Sequence, residues 1–160
     1  MLASPMLIGS AGYRTNLNER LLASQNRARA DVGVQPLEWN GALAQDAKLW
    51  ADQLAATGRF EHSPDEPGVE PQGENLWAGT PGAYQPESMI GLWTSEKRDY
   101  KPGVFPNNSR SGDVENVGHY TQLIWKETTQ VGCSMARGSD EEFLVCRYSS
   151  PGNVMGQRPL

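Results

Sequence analysis

Apolar positions recur at helical spacing over most of the chain, and two short apolar runs follow near its end. Leu17, Leu21, Ala28 and Val32 fall on one face of a first helix. Asn16 stands at its N-cap with Glu19 three residues on, and Gly33 ends it. Leu43, Ala47, Trp50 and Leu54 share a face of a second helix that begins at Asn40 and stops at Gly58. A third opens at Pro86, which suits the first helical position, and is predicted to run to about Tyr100, ahead of Pro102. A shorter fourth spans Gly118 to Trp125. Segments 59–62 and 74–78 read as short strands. Residues 102–118, PGVFPNNSRSGDVENVG, are turn-rich and predict a long loop.

The runs VGCSMAR and EFLVCRY flank Gly138-Ser139-Asp140-Glu141. Folded as a hairpin on that loop, they set Arg137 opposite Glu142, Met135 opposite Leu144 and Cys133 opposite Cys146. An opposite-charge pair and an apolar pair stabilise antiparallel strands, and the register brings the two cysteine Cβ atoms to about 4.5–5.5 Å. A Cys133–Cys146 disulfide is therefore predicted. The alternative is two buried free thiols. A disulfide would favour an exported protein. Helices and long loops followed by a hairpin point to an α+β fold, helices packed on an antiparallel sheet.

Composition narrows the function. The chain has 160 residues, which suits one domain, and 38% are apolar, with five Trp and five Tyr, enough for one core. The net charge is −5 and no dense Lys/Arg run occurs, so neither nucleic acid nor an anionic membrane surface is an expected partner. No apolar stretch approaches the roughly 20 residues of a transmembrane helix. The start, MLASPMLIGSAGY, is mildly apolar with no Lys or Arg ahead of it, a poor signal peptide. Residues 1–14 are read as an N-terminal extension or leader remnant, and 15–160 as the domain.

One residue breaks the helical pattern. At about 100° per residue, Met89, Trp93, Glu96 and Tyr100 fall in one narrow sector, so Glu96 sits inside an apolar stripe. A carboxylate there must find a partner, either in a structural ion pair or in a site. The only histidines are His62, in FEHS, and His119, in VGHYTQLIW. Glu74 lies in QGENLW. Taken singly, each of these reads as structural or surface. Together they would form a cluster of two imidazoles and two carboxylates. Two imidazoles and one carboxylate can bind Zn²⁺ with water in the open position. A second carboxylate could orient a ligand or act as a base on that water.

The motifs Glu38-Trp39-Asn40, HS at 62–63, GENLW at 73–77, GHYTQLIW at 118–125 and CRYSSPGNVMGQRP at 146–159 occur in that order. In that set the chain resembles the CAP superfamily (SCP/TAPS; CRISP, antigen 5 and pathogenesis-related-1 proteins) over about residues 15–159. The resemblance implies a three-layer α-β-α sandwich with a central antiparallel sheet. It also implies a cleft tetrad of His62, Glu74, Glu96 and His119, with His62 and His119 as ligands of a divalent metal, zinc foremost. Ser63 and Gln122 would lie near the cleft. A single possible disulfide is what a bacterial or otherwise minimal member would show, and Ser150 stands where the family pattern has a proline.

The implied function is a secreted defence or signalling protein that binds a sterol, fatty acid or other apolar ligand, or an extracellular protein. The loop AGTPGAYQPE, with Tyr84 and Pro86, would be the apolar-ligand site. The alternative is a zinc-dependent hydrolase, a peptidase, with Glu74 or Glu96 as general base. A serine-protease version is weaker, because Ser63 adjoins His62 in sequence. A third reading makes the tetrad a structural polar network joining helices to sheet.

Overall fold

The computed structural model describes residues 15–160; the extension read at 1–14 lies outside the described residues. The hairpin adopts the register its side chains predict. Strands β3 (Gln130–Arg137) and β4 (Glu142–Ser149) pair with Cys133 opposite Cys146, Met135 opposite Leu144 and Arg137 opposite Glu142. The two cysteines form a disulfide with their Cα atoms 4.1 Å apart. Strand β2 (Gly73–Gly79) pairs antiparallel with the other edge of β4. A two-residue strand, β1 (Glu38–Trp39), joins β3 in parallel, so the sheet order is β1-β3-β4-β2. The sheet is thus mixed and not wholly antiparallel. A parallel pair needs a crossover, and everything between β1 and β3 supplies it.

Strand alternation sorts the core into two layers. Phe143 and Val145 of β4, with Leu76 of β2, face helix α2 (Gly41–Thr57) and pack on its Ala47, Ala51 and Leu54. Leu144, Cys146 and Tyr148 face the other way. There α1 (Leu17–Asp31), α3 (Pro86–Ser95) and α4 (Gly118–Ile124) bring Leu21, Met89, Ile90, Trp93, Leu123 and Ile124. The result is the α-β-α sandwich. Helix α2 starts on Asn40, whose side chain accepts from the Ala42 N–H at 2.8 Å and the Leu43 N–H at 3.1 Å. It lies close on β3 because residue 132 is glycine. A Cβ there would overlap the backbone of Asn40, Leu43 and Ala44.

Local expectations needed correcting in four places. Asn16 is the N-cap of α1, but its left-handed backbone (φ 56°, ψ 37°) leaves its side chain without a capping hydrogen bond. An N-cap side chain reaches the helix N–H groups from an extended backbone. The core face of α2 is Leu43, Ala47, Ala51 and Leu54; Trp50 is half-buried at its edge. Helix α3 stops at Ser95 and tightens into a 3₁₀ turn over Glu96–Asp99. Segment 59–62 forms no strand. Side chains tie it down instead: Trp50 donates its indole N–H to the Glu61 carbonyl at 3.0 Å, and Phe60 stacks on Phe143.

One element of the core left no mark in the sequence pattern. Arg29 of α1 is 1% exposed, and its guanidinium hydrogen-bonds a ring of carbonyl oxygens. It donates to Gln35 at 2.7 Å, to Leu123 at 2.9 Å, to Trp125 at 3.0 Å and to Thr128 at 2.8 Å. Burial pushes its pKa down to about 10, which still leaves it charged at neutral pH. The cation closes the C-terminus of α4, where carbonyls lack partners in the helix.

Candidate functional site

Helix α4 begins with Val117 at its N-cap, a residue with no side-chain acceptor. Glu96 supplies the missing cap from the end of α3. Its Oε1 accepts from the backbone N–H groups of His119 (3.0 Å) and Tyr120 (3.1 Å), and its Oε2 meets His119 Nδ1 at 2.7 Å. That is why a carboxylate interrupts the apolar stripe: it caps the next helix and fixes an imidazole at once. The His119 ring also lies parallel to the buried Trp93 indole, with centroids 5.8 Å apart and planes 6° apart.

The backbone of His119 is held as firmly. Asn75 Nδ2 donates to the His119 carbonyl at 3.1 Å and reaches Tyr148 Oη at 3.4 Å. Tyr148 Oη donates in turn to Gln25 Oε1 at 2.7 Å, and Gln25 Nε2 sits 3.6 and 3.7 Å from the two disulfide sulfurs. Burial drives the Tyr148 pKa far above the usual tyrosine range, so the hydroxyl stays protonated. A buried polar line therefore runs from the disulfide to His119.

The second pair is built differently. His62 Nδ1 meets Glu74 Oε1 at 2.6 Å. Glu74 also accepts from the Ser63 N–H at 3.0 Å and the Ser63 hydroxyl at 2.7 Å, and forms an ion pair with Arg147 at 2.7 Å. Burial pushes the Glu74 carboxyl pKa up, but His62, Ser63 and Arg147 together outweigh it and hold it below the usual glutamate value. The Glu74 side chain is 8% exposed, whereas that of His62 is 65% exposed. Arg147 lies directly across the sheet from Glu74 and donates to Gln72 at 3.1 Å, which donates to Asp46 at 2.8 Å. Arg147 was missed in the sequence. Aligning GENLW with FLVCRY as neighbouring strands would have shown this cross-strand acid–base pair.

His62, Ser63, Glu74 and Gln122 line a cleft of about 910 Å³ between α2 and the segment 62–72. Its floor includes Gly73, Arg147 and Gly152. Gln122 is clamped there, accepting from the Gly152 N–H at 2.9 Å, and a Cβ at either Gly73 or Gly152 would overlap its amide. His119 and Glu96 are not among the residues lining this cleft. The adjacent residues Glu74 and Asn75 connect the two pairs, one holding the His62 ring and the other the His119 carbonyl. Among the described residues, no three His, Cys, Asp or Glu side chains converge in a way that could hold a metal ion. Both carboxylates spend their oxygens on the histidines and nearby N–H groups, and both histidines use Nδ1. The imidazole nitrogen left over in each pair is Nε2.

The family model for the cysteine-rich secretory protein family, CAP, matches residues 22–148. The chain belongs to the CAP family. It is 34% identical to pathogenesis-related protein 1B of Nicotiana tabacum over 155 residues, which covers 96% of this chain and 87% of that protein. It is 37% identical to pathogenesis-related protein PR-1 of Medicago truncatula over 146 residues, or 90% of this chain and 79% of that one. Among solved structures its fold is similar to the hookworm platelet inhibitor, with a TM-score of 0.70, 17% identity and coverage of 90% of this chain and 74% of that one. It is also similar to NaASP2 with Zn²⁺, with a TM-score of 0.69, 22% identity and coverage of 98% and 89%.

In this CAP domain the two C-terminal signatures lock onto each other. Asn153, with φ 53°, donates to the Gly118 carbonyl at 2.9 Å and accepts from the Thr121 hydroxyl at 2.6 Å. With the Gly152–Gln122 bond, these contacts pin the strand-end segment 150–153 to the start of α4 and so to His119. Among the described residues, no helix is long and apolar enough to cross a membrane.

Proposed function

We propose that this CAP domain acts outside the cell as a defence-type binding protein, and that His62 and His119 hold a divalent metal ion, zinc foremost. The carrying observation is the engagement of both carboxylates. Glu74 accepts from His62, Ser63 and Arg147, and Glu96 accepts from His119 and Tyr120. A metal-ligating histidine commonly gives its other ring nitrogen to a carboxylate, and both imidazoles are prepared in that way. Two imidazole nitrogens would then hold the ion, with water completing the coordination. When bound, the ion would supply a positive charge and open positions for an oxygen ligand.

A hydrolase needs a carboxylate free to take a proton from water. Glu74 already holds four partners and Glu96 three, which favours binding over catalysis. The disulfide and the kinship with pathogenesis-related proteins support a secreted protein. The zinc reading also draws support from NaASP2 with Zn²⁺. An apolar ligand would meet Tyr84, which is 44% exposed beside the buried Trp77. Uptake of sterol or fatty acid by delipidated protein tests that part.

The metal is tested by calorimetric titration of metal-free protein with Zn²⁺ at neutral pH, beside the His62→Ala/His119→Ala double variant. Micromolar or tighter binding, lost in the variant, is expected. Absence of binding by the intact protein, or equal binding by the variant, overturns the metal assignment.

A further inference from the structure

We propose that the cleft between α2 and segment 62–72 takes an extended basic peptide, one with lysine or arginine side chains set among aliphatic ones. This deepens the binding reading above and rests on it. The cleft has two walls of mixed character. On α2, Asp46 and Leu49 lie three residues apart on one helix face. Across from them, Asp65, Glu66, Val69 and Glu70 come from one loop.

Charge picks the sign of the ligand. Five acids line the cleft against a single arginine, Arg147, whose charge is already directed at Glu74. The lining therefore carries four of the chain's five net negative charges, and the rest of the molecule is close to balanced. A cleft walled with one sign of charge focuses the field and concentrates ligands of the other sign. Among the described residues, no basic side chain pairs with Asp65, Glu66 or Glu70.

Apolar side chains pick the kind of cation. Leu49 is 64% exposed and Val69 57% exposed, and both line the cleft. A polyamine would satisfy the acids and leave these two in water. A fatty acid would cover them and bring its carboxylate among like charges. A peptide that carries both cationic and aliphatic side chains meets both, because an extended chain presents side chains to both walls at once.

The test is fluorescence anisotropy with a dye-labelled octapeptide of alternating lysine and leucine. Two controls of equal length replace the lysines by glutamate or the leucines by serine. The lysine–leucine peptide should bind most tightly and weaken as salt rises. The Asp65→Asn/Glu66→Gln/Glu70→Gln variant, altered only at exposed loop positions, should weaken it by about tenfold or more. Leu49→Ser should weaken the lysine–leucine peptide and leave the lysine–serine one unchanged.

Equal binding of the glutamate peptide, indifference to the triple variant, or no binding of any peptide overturns the proposal. So does a lysine–serine peptide that binds as tightly as lysine–leucine. Zinc titration of the same proteins separates the two readings. Zinc binding without peptide binding sinks this proposal alone. Peptide binding that persists in the His62→Ala/His119→Ala variant, with no zinc bound by the intact protein, sinks the metal assignment alone.

Discussion

The same chemical pair, an imidazole against a carboxylate, is built twice in this molecule and in two different ways. The Glu96–His119 pair belongs to the framework: its carboxylate caps α4, and its ring is stacked on a buried indole. The His62–Glu74 pair belongs to the surface: its carboxylate is buried beside Arg147, while its imidazole stands on a loop, mostly in solvent. Removing a residue should therefore affect stability and ligand binding in different proportions on the two sides. A histidine fixed by the framework arrives preorganised, whereas one on a loop depends on its carboxylate for orientation.

The largest effect is expected at Glu96. Glu96→Ala leaves two N–H groups at the start of α4 without their acceptor and should cost about 2–4 kcal/mol, read by urea denaturation. Glu74→Ala comes next, at about 1–3 kcal/mol, because it strips Arg147 of its carboxylate. This loss should depend on pH. The folded-state pKa of Glu74 is depressed, so its stabilisation is fully present above the ordinary value of about 4.3 and fades as pH falls through the lower folded value. The stability gap between the wild type and Glu74→Gln should therefore narrow on acidification. A gap that widened would contradict the assignment.

His119→Ala should cost about 1–2 kcal/mol through the lost stack on Trp93. His62→Ala should cost less than about 0.5 kcal/mol, as surface changes usually do, and should abolish the proposed zinc binding. Equal costs for the two histidines would erase the distinction between framework and surface pairs.

What could be read from the chain follows the range of each interaction. The hairpin and its disulfide were legible because a four-residue loop fixes the register of everything beyond it. His62, Glu74, Glu96 and His119 sit in motifs the sequence singles out, Glu96 also on a helical wheel, and the structure joins them as two pairs, His62–Glu74 and Glu96–His119. The role of Glu96 as the cap of α4 was not legible, since the partners are backbone N–H groups 23 and 24 residues away. Arg29 escaped for a related reason. Carbonyl oxygens bind it, and every residue has one, so no residue type announces the contact. Segment 59–62 looked like a strand, but Trp50 and Phe143 hold it by side chains and not by a ladder. The walls of the cleft draw on α2 and on the loop after His62, and no sequence period connects those two stretches.

Both histidines give Nδ1 to a carboxylate, and the proposed metal binding requires Nε2 of each to stay open. With only two histidines in the chain, long-range ¹H–¹⁵N NMR of the imidazoles tests it with His62→Ala as the sole assignment aid. A proton on Nδ1 is expected in both residues, with added Zn²⁺ moving the Nε2 resonances. Rings protonated at Nε2 alone, or a zinc-induced shift confined to Nδ1, would contradict this.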